Sequence, residues 1–314
     1  MLAWMLDVAG RRPSFLVGGI AENFGRSFQV SDGPDFVIEG DEYDTAFFDK
    51  GPKFLHYEPQ GLILNAIEFD HADIYANVEA VIEAFIALLR IVPKRAPVIA
   101  SADFPLVEKA LYRGGHSAER FGFSATADWR PVDVRDEGGR TRFRVRRNNR
   151  DDGDVAIQLM GEMNVRNALA VYALCRRLDL APGDIAPGLD SFRGVRRRQE
   201  LLLDGDITVM DDFAHHPTAI AGTVEAVRRR YPGRRIWAVF EPRSNTSRRK
   251  VFQHELASAL AGADRAIVAA PYFKPSDPLA DHERLAVDEV IAAIGDAGRE
   301  AKTLPDADAI LAAL

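Results

Sequence analysis

The sequence has little of what several large protein classes require. Its single cysteine, Cys175, excludes an internal disulfide and a cysteine-rich zinc site, which fits a reducing compartment. The net charge of −7 is opposite in sign to what binding of nucleic-acid phosphates requires. No apolar run approaches the roughly 20 residues of a transmembrane helix, and the N-terminus lacks the basic start and cleavage site of a signal peptide. We therefore expect a soluble cytoplasmic protein that binds neither nucleic acid nor membrane.

What the sequence does contain is an alternation of strand-like and helix-like segments. Buried strands are predicted at residues 15–20, 36–39, 62–64 and 97–100. Apolar residues recur at helical spacing from Val78 to Leu89, and residues 164–178 form a second helical pattern. Strict alternation at residues 141–146, after Glu137-Gly-Gly, predicts an antiparallel hairpin. The whole predicts an α/β fold with a mostly parallel sheet and helices on both faces.

A second α/β alternation follows a glycine and a run of charge near Gly194. Strands are predicted at residues 207–210, 236–240 and 266–269, with helices at 217–230 and 250–261. At 314 residues the chain is long enough for two domains, each with its own core. We therefore place the domains at residues 1–193 and 194–314.

Polar side chains cluster where three predicted strands end. An apolar run stops at Asp211-Asp212 and is followed by His215, His216 and a proline that begins a helix. Acids also follow the strands before residues 39–44 and 65–73. Ligands bind at the carboxyl ends of strands in open α/β sheets, and crowded carboxylates favour a hard cation such as Mg²⁺. Each of the two earlier acidic clusters taken alone is more often a solvated loop than a site, but their occurrence at neighbouring strand ends favours a composite site with a metal ion.

Two further segments contain side chains suited to ligand recognition. Asn164 and Asn167 lie three residues apart, so they share a helix face and are able to contact an adenine edge. A simple helix cap is the alternative interpretation. Arg243 opens the basic segment 241–250 after a predicted strand, and its planar guanidinium suits a carboxylate or phosphate. Exposure to solvent alone is the alternative there.

Taken together, the motifs resemble the Mur ligase family, which joins amino acids or peptides to peptidoglycan precursors with ATP. The matching signatures are Glu-Gly-Asp-Glu at 39–42, Asn-x5-His at 65–71, Gly-x-x-Asn-x-x-Asn-Ala-Leu-Ala at 161–170, Arg-Arg-x-Glu at 197–200 and Asp-Asp-Phe-Ala-His-His-Pro-Thr at 211–218. Residues 41–50 and 241–246 resemble the branch that adds a preformed tripeptide. The branch that adds L-alanine, which typically has Glu-Ser-Asp and Pro-His-Arg-Tyr-Thr there, is the alternative.

The resemblance implies a central ATP-binding domain followed by a smaller, Rossmann-like C-terminal domain. The implied reaction activates the carboxylate of UDP-N-acetylmuramate as an acyl phosphate. The amine of L-Ala-γ-D-Glu-meso-diaminopimelate then attacks it, in peptidoglycan recycling. The implied cofactors are ATP and Mg²⁺, and the implied partners are these small molecules. The implied residue roles are Glu42 and His71 for Mg²⁺, with Asn65 nearby at the substrate, Asn164 and Asn167 for adenine, Asp212 for ribose, Arg198 for the ATP phosphates, His215 and His216 for the nucleotide side, and Arg243, Ser244, Asn245 and Thr246 for the peptide.

The sequence departs from the family pattern at both ends. The family's P-loop would stand directly before Met1, and no Gly-x4-Gly-Lys-Ser/Thr occurs within the 314 residues. The family's N-terminal UDP-binding domain and its last strand, which would follow Leu314, are also missing. We therefore expect little or no ligase activity from this chain alone. Two other functions stay open: a non-catalytic nucleotide-binding fragment, and a metal-dependent hydrolase that uses Asp212, His215 and His216.

Overall fold

The chain folds as two units, and the second takes a short segment from within the sequence of the first. The computed structural model describes residues 1–273 and 279–314. The first unit contains residues 1–69 and 74–212, and the second contains residues 70–73 and 213–314. Residues 70–73 are therefore four residues of the central sequence that pack with the C-terminal unit. The predicted domain boundary near Gly194 stays a prediction.

The secondary structure alternates between strands and helices along most of the chain. The helices are α1 (Leu2–Val8), α2 (Val78–Ile91), α3 (Pro105–Gly114), α4 (Glu162–Arg177), α5 (Pro182–Asp190), α6 (Pro217–Arg230), α7 (Gln253–Leu260), α8 (Val287–Asp296) and α9 (Ala307–Ala313). The strands are β1 (Ser14–Ala21), β2 (Arg26–Gln29), β3 (Phe36–Ile38), β4 (Asp44–Ala46), β5 (Asp49–Pro52), β6 (Leu62–Leu64), β7 (Val98–Ser101), β8 (Glu119–Phe121), β9 (Trp129–Glu137), β10 (Arg140–Arg147), β11 (Arg150–Ile157), β12 (Glu200–Leu203), β13 (Val209–Asp211), β14 (Trp237–Phe240), β15 (Arg265–Ala269) and β16 (Glu300–Leu304). Short 3₁₀ turns occur at Lys53–His56, Lys250–Phe252 and Asp281–Glu283.

A six-stranded mixed sheet forms the centre of the first unit, in the order β11-β10-β9-β8-β7-β6. Strands β6 to β9 pair in parallel, whereas β9, β10 and β11 pair antiparallel. On β7, Ile99 packs with the core that contains α4, while Val98 and Ala100 pack with the core that contains α2 and α3. Because alternate residues of a strand point to opposite faces, both faces of the sheet are covered by helices. The α/β class, the parallel-rich sheet and the antiparallel hairpin are confirmed.

The remaining strands form smaller sheets. Strands β2, β1 and β3 form a three-stranded sheet in which β1 and β3 are parallel, and β4 pairs with β5 in a hairpin. In the second unit, β14, β15 and β16 are parallel and adjacent in that order. Its core joins α6, α7 and α8 to this sheet through residues such as Ile220, Leu260, Val268 and Ile294.

The predicted burial fails in part at two strands, since Leu16 in β1 is 46% and Phe36 in β3 is 61% exposed, and a third strand differs in both burial and pairing. The run at residues 207–210 was expected to be a buried strand, but Ile207 is 69% and Val209 is 42% exposed. Strand β13 instead pairs antiparallel with β12. The turn between them contains Asp204-Gly205, a sequence that favours a hairpin. An apolar run does not by itself distinguish a buried parallel strand from one strand of an exposed hairpin, so the prediction of burial was wrong.

None of the helices in the described part of the chain combines the length and apolar character that a bilayer crossing requires.

Candidate functional site

The start of α4 presents the two predicted adenine-reading asparagines beside the end of β6. Gly161, the residue that precedes the helix, has φ +87° and ψ 157°, a conformation open almost only to glycine. The helix therefore begins sharply at Glu162, and Asn164 and Asn167 occupy its first two turns on one face. Asn65, the first residue after β6, donates its Nδ2 to Oδ1 of Asn167 at 3.0 Å. Residues 102 positions apart thus meet at the carboxyl edge of the sheet.

The amides continue as a chain along the helix face. Nδ2 of Asn167 lies 3.5 Å from Oδ1 of Asn164, a long contact, whereas Nδ2 of Asn164 donates to the Met160 carbonyl at 2.9 Å and to Oε1 of Gln199 at 3.0 Å. Both donors of Asn164 are therefore used within the protein. Asn167 retains acceptor capacity on Oδ1 and a weakly engaged Nδ2, which is the donor and acceptor pair that an asparagine offers to an adenine edge. The amide set fits adenine.

The acids that follow β3 have protein partners rather than forming an open cluster. Oε2 of Glu39 accepts from the Gly18 backbone N–H at 2.6 Å. Asp41 accepts from the Tyr43 backbone N–H at 2.8 Å and lies 3.4 Å from Nζ of Lys53. These contacts account for part of the charge density that made the segment suggest a cation.

Glu42, the predicted magnesium ligand, is fixed through its backbone. Its carbonyl accepts from the hydroxyl of Tyr75 at 2.7 Å. Burial, together with the carboxylates of Glu42, Asp44 and Asp41, raises the pKa of Tyr75 to about 12, so this phenol stays a hydrogen-bond donor at neutral pH. Within residues 1–273 and 279–314, no group of three or more His, Cys, Asp or Glu side chains forms a metal site. Mg²⁺ commonly uses one or two carboxylates plus phosphate and water oxygens, and the half-buried Glu42 is chemically suited to that.

In the second unit, Asp70 is the centre of a hydrogen-bonded cluster. Its Oδ2 lies 3.3 Å from Nε2 of His215, its Oδ1 accepts from the His71 backbone N–H at 2.7 Å, and the Thr246 side chain also bonds to it. Burial opposes ionisation of this carboxyl group, but the hydrogen bonds from His215, Thr246 and His71 outweigh it and hold the pKa of Asp70 well below its ordinary value. Asp70 is therefore a charged, half-buried anchor for residues 70–73.

His215 has an acceptor beside each ring nitrogen. Nδ1 lies 3.2 Å from the Phe213 carbonyl oxygen, and Nε2 faces the Asp70 carboxylate. A carbonyl and a carboxylate both accept, so the two bonds form together only when both nitrogens are protonated. His215 therefore lies between two acceptors of the second unit.

The segment that was predicted to meet the peptide is largely engaged within the second unit. Asn245 donates to Oδ2 of Asp73 at 2.7 Å, and Thr246 is buried at 5% exposure against Asp70. Ser244 closes a turn by accepting from the Ser247 backbone N–H at 3.0 Å. Arg243 differs, since its side chain is 84% exposed and lies 3.8 Å from Glu241. Arg243 is thus the member of this group best placed to contact a ligand.

Three other predicted residues lie at the ends of secondary-structure elements. His216 caps α6, because its Nδ1 accepts from the Thr218 backbone N–H at 3.3 Å, and its ring packs edge-on against Phe252. Arg198 is exposed in the turn that leads into β12, and Asp212 is half-buried directly after β13. Asp212 belongs to the first unit, whereas His215 and His216 belong to the second.

Sequence reasoning missed some residues that take part in these clusters. Gln199 bonds to Asn164 across 35 positions, and no local pattern marks it. The sequence grouped Asp70 and Asp73 with the other acids after β6, where a cation was expected. In the structure they accept hydrogen bonds from His215, Thr246 and Asn245 instead. The sequence showed only that acids and a histidine follow a strand, and this pattern does not reveal their hydrogen-bond partners.

Comparison with known proteins identifies the relatives of this chain. Residues 36–175 match the Mur ligase middle domain, and residues 197–314 match the family described as Mur ligase, glutamate ligase domain. The UDP-N-acetylmuramate–L-alanyl-γ-D-glutamyl-meso-2,6-diaminoheptandioate ligase of Haemophilus influenzae is 39% identical over 273 residues, covering 86% of this chain and 60% of that protein. The UDP-N-acetylmuramate–L-alanine ligase of Chlorobium phaeobacteroides is 34% identical, covering 100% of this chain and 66% of that protein.

Solved structures agree with the sequence matches. The crystal structure of a murein peptide ligase from Psychrobacter arcticus superimposes with a TM-score of 0.67 at 31% identity, covering 99% of this chain and 67% of that one. The chain spans about 60% of the length of the first curated relatives that it matches. Matches to both domain models and to a solved relative across almost the whole chain lead to one conclusion. The chain belongs to the Mur ligase family.

Proposed function

We propose that the protein carrying this chain is a cytoplasmic, ATP-dependent ligase that joins UDP-N-acetylmuramate to L-alanyl-γ-D-glutamyl-meso-diaminopimelate in peptidoglycan recycling. The observation that carries the proposal is the amide set of Asn65, Asn164 and Asn167 at the carboxyl edge of the sheet. It lies within a chain that is 39% identical to a ligase named for that tripeptide. Ligands bind at this edge in open α/β sheets, so the position and the chemistry of the amides agree.

On the nucleotide side, each group has a chemical task that its surroundings permit. Asn167, oriented by Asn65, reads the adenine edge, and Asn164 holds the helix turn beneath it. Asp212 accepts from the ribose hydroxyls, and the exposed Arg198 offers a guanidinium to the phosphates. Glu42 in the first unit and His71 in the second would each supply a ligand to Mg²⁺, and His215 and His216 would serve the nucleotide. When bound, Mg²⁺ neutralises charge on the phosphates and on the reacting carboxylate.

The reaction proceeds in two steps that conserve atoms. The muramate carboxylate oxygen attacks the γ-phosphorus of ATP, the bond to the bridging oxygen breaks, and an acyl phosphate and ADP form. The neutral amine of the peptide then attacks the acyl carbon, the C–N bond forms, and inorganic phosphate leaves as the nitrogen loses a proton. Arg243 has an exposed guanidinium, which suits a carboxylate of the incoming peptide. Asn245, Thr246 and Ser244 fix the segment that carries it.

A second candidate acceptor is free L-alanine. The L-alanine ligase of Chlorobium phaeobacteroides is 34% identical over the full length of this chain, which favours considering it. The two candidates share the nucleotide and the muramate substrate and differ only in the amine that attacks. Acceptor choice therefore discriminates between them.

The test is an ATP-dependent ligation assay with UDP-N-acetylmuramate and either the tripeptide or L-alanine. It is run on the chain alone and on the chain joined to an upstream Mur ligase segment that supplies a P-loop. We expect product from the tripeptide only in the joined protein. Preference for L-alanine transfers the assignment to the second candidate, and no product with either amine contradicts the ligase proposal.

Single-residue variants test which residues bind the incoming peptide. Arg243→Ala is expected to raise KM for the tripeptide about tenfold while leaving KM for ATP unchanged. Arg95→Ala is a matched control, because Arg95 is also exposed but precedes β7 at the amino edge of the sheet. Equal effects of the two variants would remove Arg243 from the peptide site.

A further inference from the structure

A mostly buried carboxylate, that of Asp103, joins three elements at the carboxyl edge of the main sheet. It lies two residues after β7, and its side chain is 11% exposed. Its oxygens accept from the backbone N–H of Phe123 at 3.0 Å and of Ser124 at 2.9 Å, in the loop after β8. Nε of Arg166, in α4, donates to it at 2.6 Å. A single side chain therefore ties the ends of β7 and β8 to the first turns of α4.

The surrounding backbone is shaped to this carboxylate. Gly122 has φ +145°, and a Cβ there would lie 2.5 to 2.7 Å from the three carboxylate atoms of Asp103. Only glycine fits that position. Burial acts to raise the pKa of Asp103, but Arg166 and the two backbone N–H groups lower it by more, so the carboxylate is charged at neutral pH.

Arg166 connects Asp103 to the part of α4 that carries the proposed adenine-facing residues. It directly precedes Asn167 in α4, and its guanidinium also lies over the Phe123 ring at 4.8 Å. The same two helical turns are held on another side by Asn65 through Asn167, and by Gln199 through Asn164. Because Oδ1 of Asn167 accepts from Asn65, the amide has one orientation. An amide held in one orientation discriminates between bases, whereas one that is free to flip does so less.

We propose that Asp103 is a positioning residue for adenine recognition. It fixes Arg166, and Arg166 in turn fixes the helix turn that orients the Asn167 amide. The inference rests on the proposed function, since it presupposes that Asn167 faces the base. It assigns Asp103 no contact with the nucleotide. Loss of the Asp103–Arg166 contact should therefore affect which base binds more than it affects binding of the triphosphate.

The test compares the affinities of ATP and inosine triphosphate by calorimetry on the full chain. Inosine triphosphate carries a carbonyl in place of the 6-amino group, so it loses the bond to Oδ1 of Asn167. We expect the wild-type chain to prefer ATP by about 5- to 100-fold, the range for one bidentate base contact. Asp103→Asn, which keeps the size and the acceptor oxygen, should reduce this ratio by about threefold or more. Arg166→Lys, which keeps the charge but loses the Nε–H bond, should act in the same direction.

Asp152→Asn is the matched control. Asp152 is also mostly buried, at 14% exposure, and it bonds to Arg176 in the last turn of the same helix at 2.9 Å. It should lower the melting temperature without changing the ATP to inosine triphosphate ratio. Equal reductions by Asp103→Asn and Asp152→Asn, or none by either Asp103→Asn or Arg166→Lys, would overturn the positioning role and leave the proposed function intact. A wild-type chain that binds neither nucleotide would contradict the premise that Asn167 of this chain faces the base, and the ligation assay on the joined protein would then decide the proposed function separately.

Discussion

Replacing Asp70 by asparagine tests whether the cluster around residues 70–73 stabilises the second unit. The change keeps the size of the side chain but removes its charge. The carboxylate now accepts from His215, from Thr246 and from the His71 backbone N–H, and it is 19% exposed. An amide retains one oxygen acceptor and places an NH₂ group where a second acceptor stood. At least one donor therefore loses its partner.

The magnitude follows from the type of bond that is lost. Hydrogen bonds to charged groups contribute about 1.5–3 kcal/mol, compared with about 0.5–1.5 kcal/mol for neutral ones. Weakening the two side-chain bonds by about 1 kcal/mol each gives a loss of about 2 kcal/mol in the free energy of unfolding. For a unit of roughly 100 residues this corresponds to a decrease in Tm of about 8–16 °C.

The pH dependence has a defined sign. The folded-state pKa of Asp70 is lowered relative to an ordinary aspartate, whose value is about 3.9. Its stabilising contribution is therefore complete at neutral pH and begins to fall as the pH approaches that value. It is lost once the pH passes below the folded-state pKa. The difference in stability between wild type and Asp70→Asn should be smaller at pH 3 than at pH 7.

The assay is calorimetric unfolding of the full chain, with Asp73→Asn as the control. Asp73 lies in the same segment, but it is exposed and bonds to an exposed amide, that of Asn245. Its substitution should lower Tm by less than about 4 °C. The reasoning is refuted if Asp70→Asn lowers Tm only as much as Asp73→Asn does. It is also refuted if the loss of stability in Asp70→Asn is the same at pH 3 and pH 7.

Three further predictions concern the first unit. Gly122→Ala should destabilise the chain by about 2 kcal/mol or more in urea unfolding, because the new Cβ meets the Asp103 carboxylate at a backbone φ of +145°. Stability equal to wild type would contradict the close packing of Gly122 against Asp103. Tyr172→Phe should lower the free energy of unfolding by about 1–2 kcal/mol in the same assay, since it removes the 2.7 Å hydrogen bond from the buried hydroxyl to Asp152. An unchanged free energy of unfolding would show that this hydrogen bond does not stabilise the fold. Cys175 is fully buried and its thiol pKa is raised to about 12 by burial, so native protein should not react with a thiol reagent at pH 8 whereas unfolded protein should; rapid native labelling would disprove the burial.

Much of the secondary structure could be predicted because its signals are local. Helix α6 runs from Pro217 to Arg230, the bounds that were predicted, and a proline at the first helical position marks its start. Helix α2 begins after Asn77, whose side chain caps it, and its buried residues recur at helical spacing. Strand β13 could not be predicted correctly. Whether its apolar residues are buried depends on which element packs against them, and the run itself does not contain that information.

For the candidate site, the residue types and the elements that carry them could be read from the sequence alone. It placed Asn164 and Asn167 on one helix face, because residues three apart face the same way on any helix. Packing in three dimensions brings Asn65 to Asn167 and Asp103 to Arg166. In the second unit it brings Asp70 to His215. These partners are 63 to 145 positions apart in the sequence, and their meeting depends on how strands and helices pack. Local periodicity fixes which face of an element a side chain occupies, whereas packing alone fixes what that face meets.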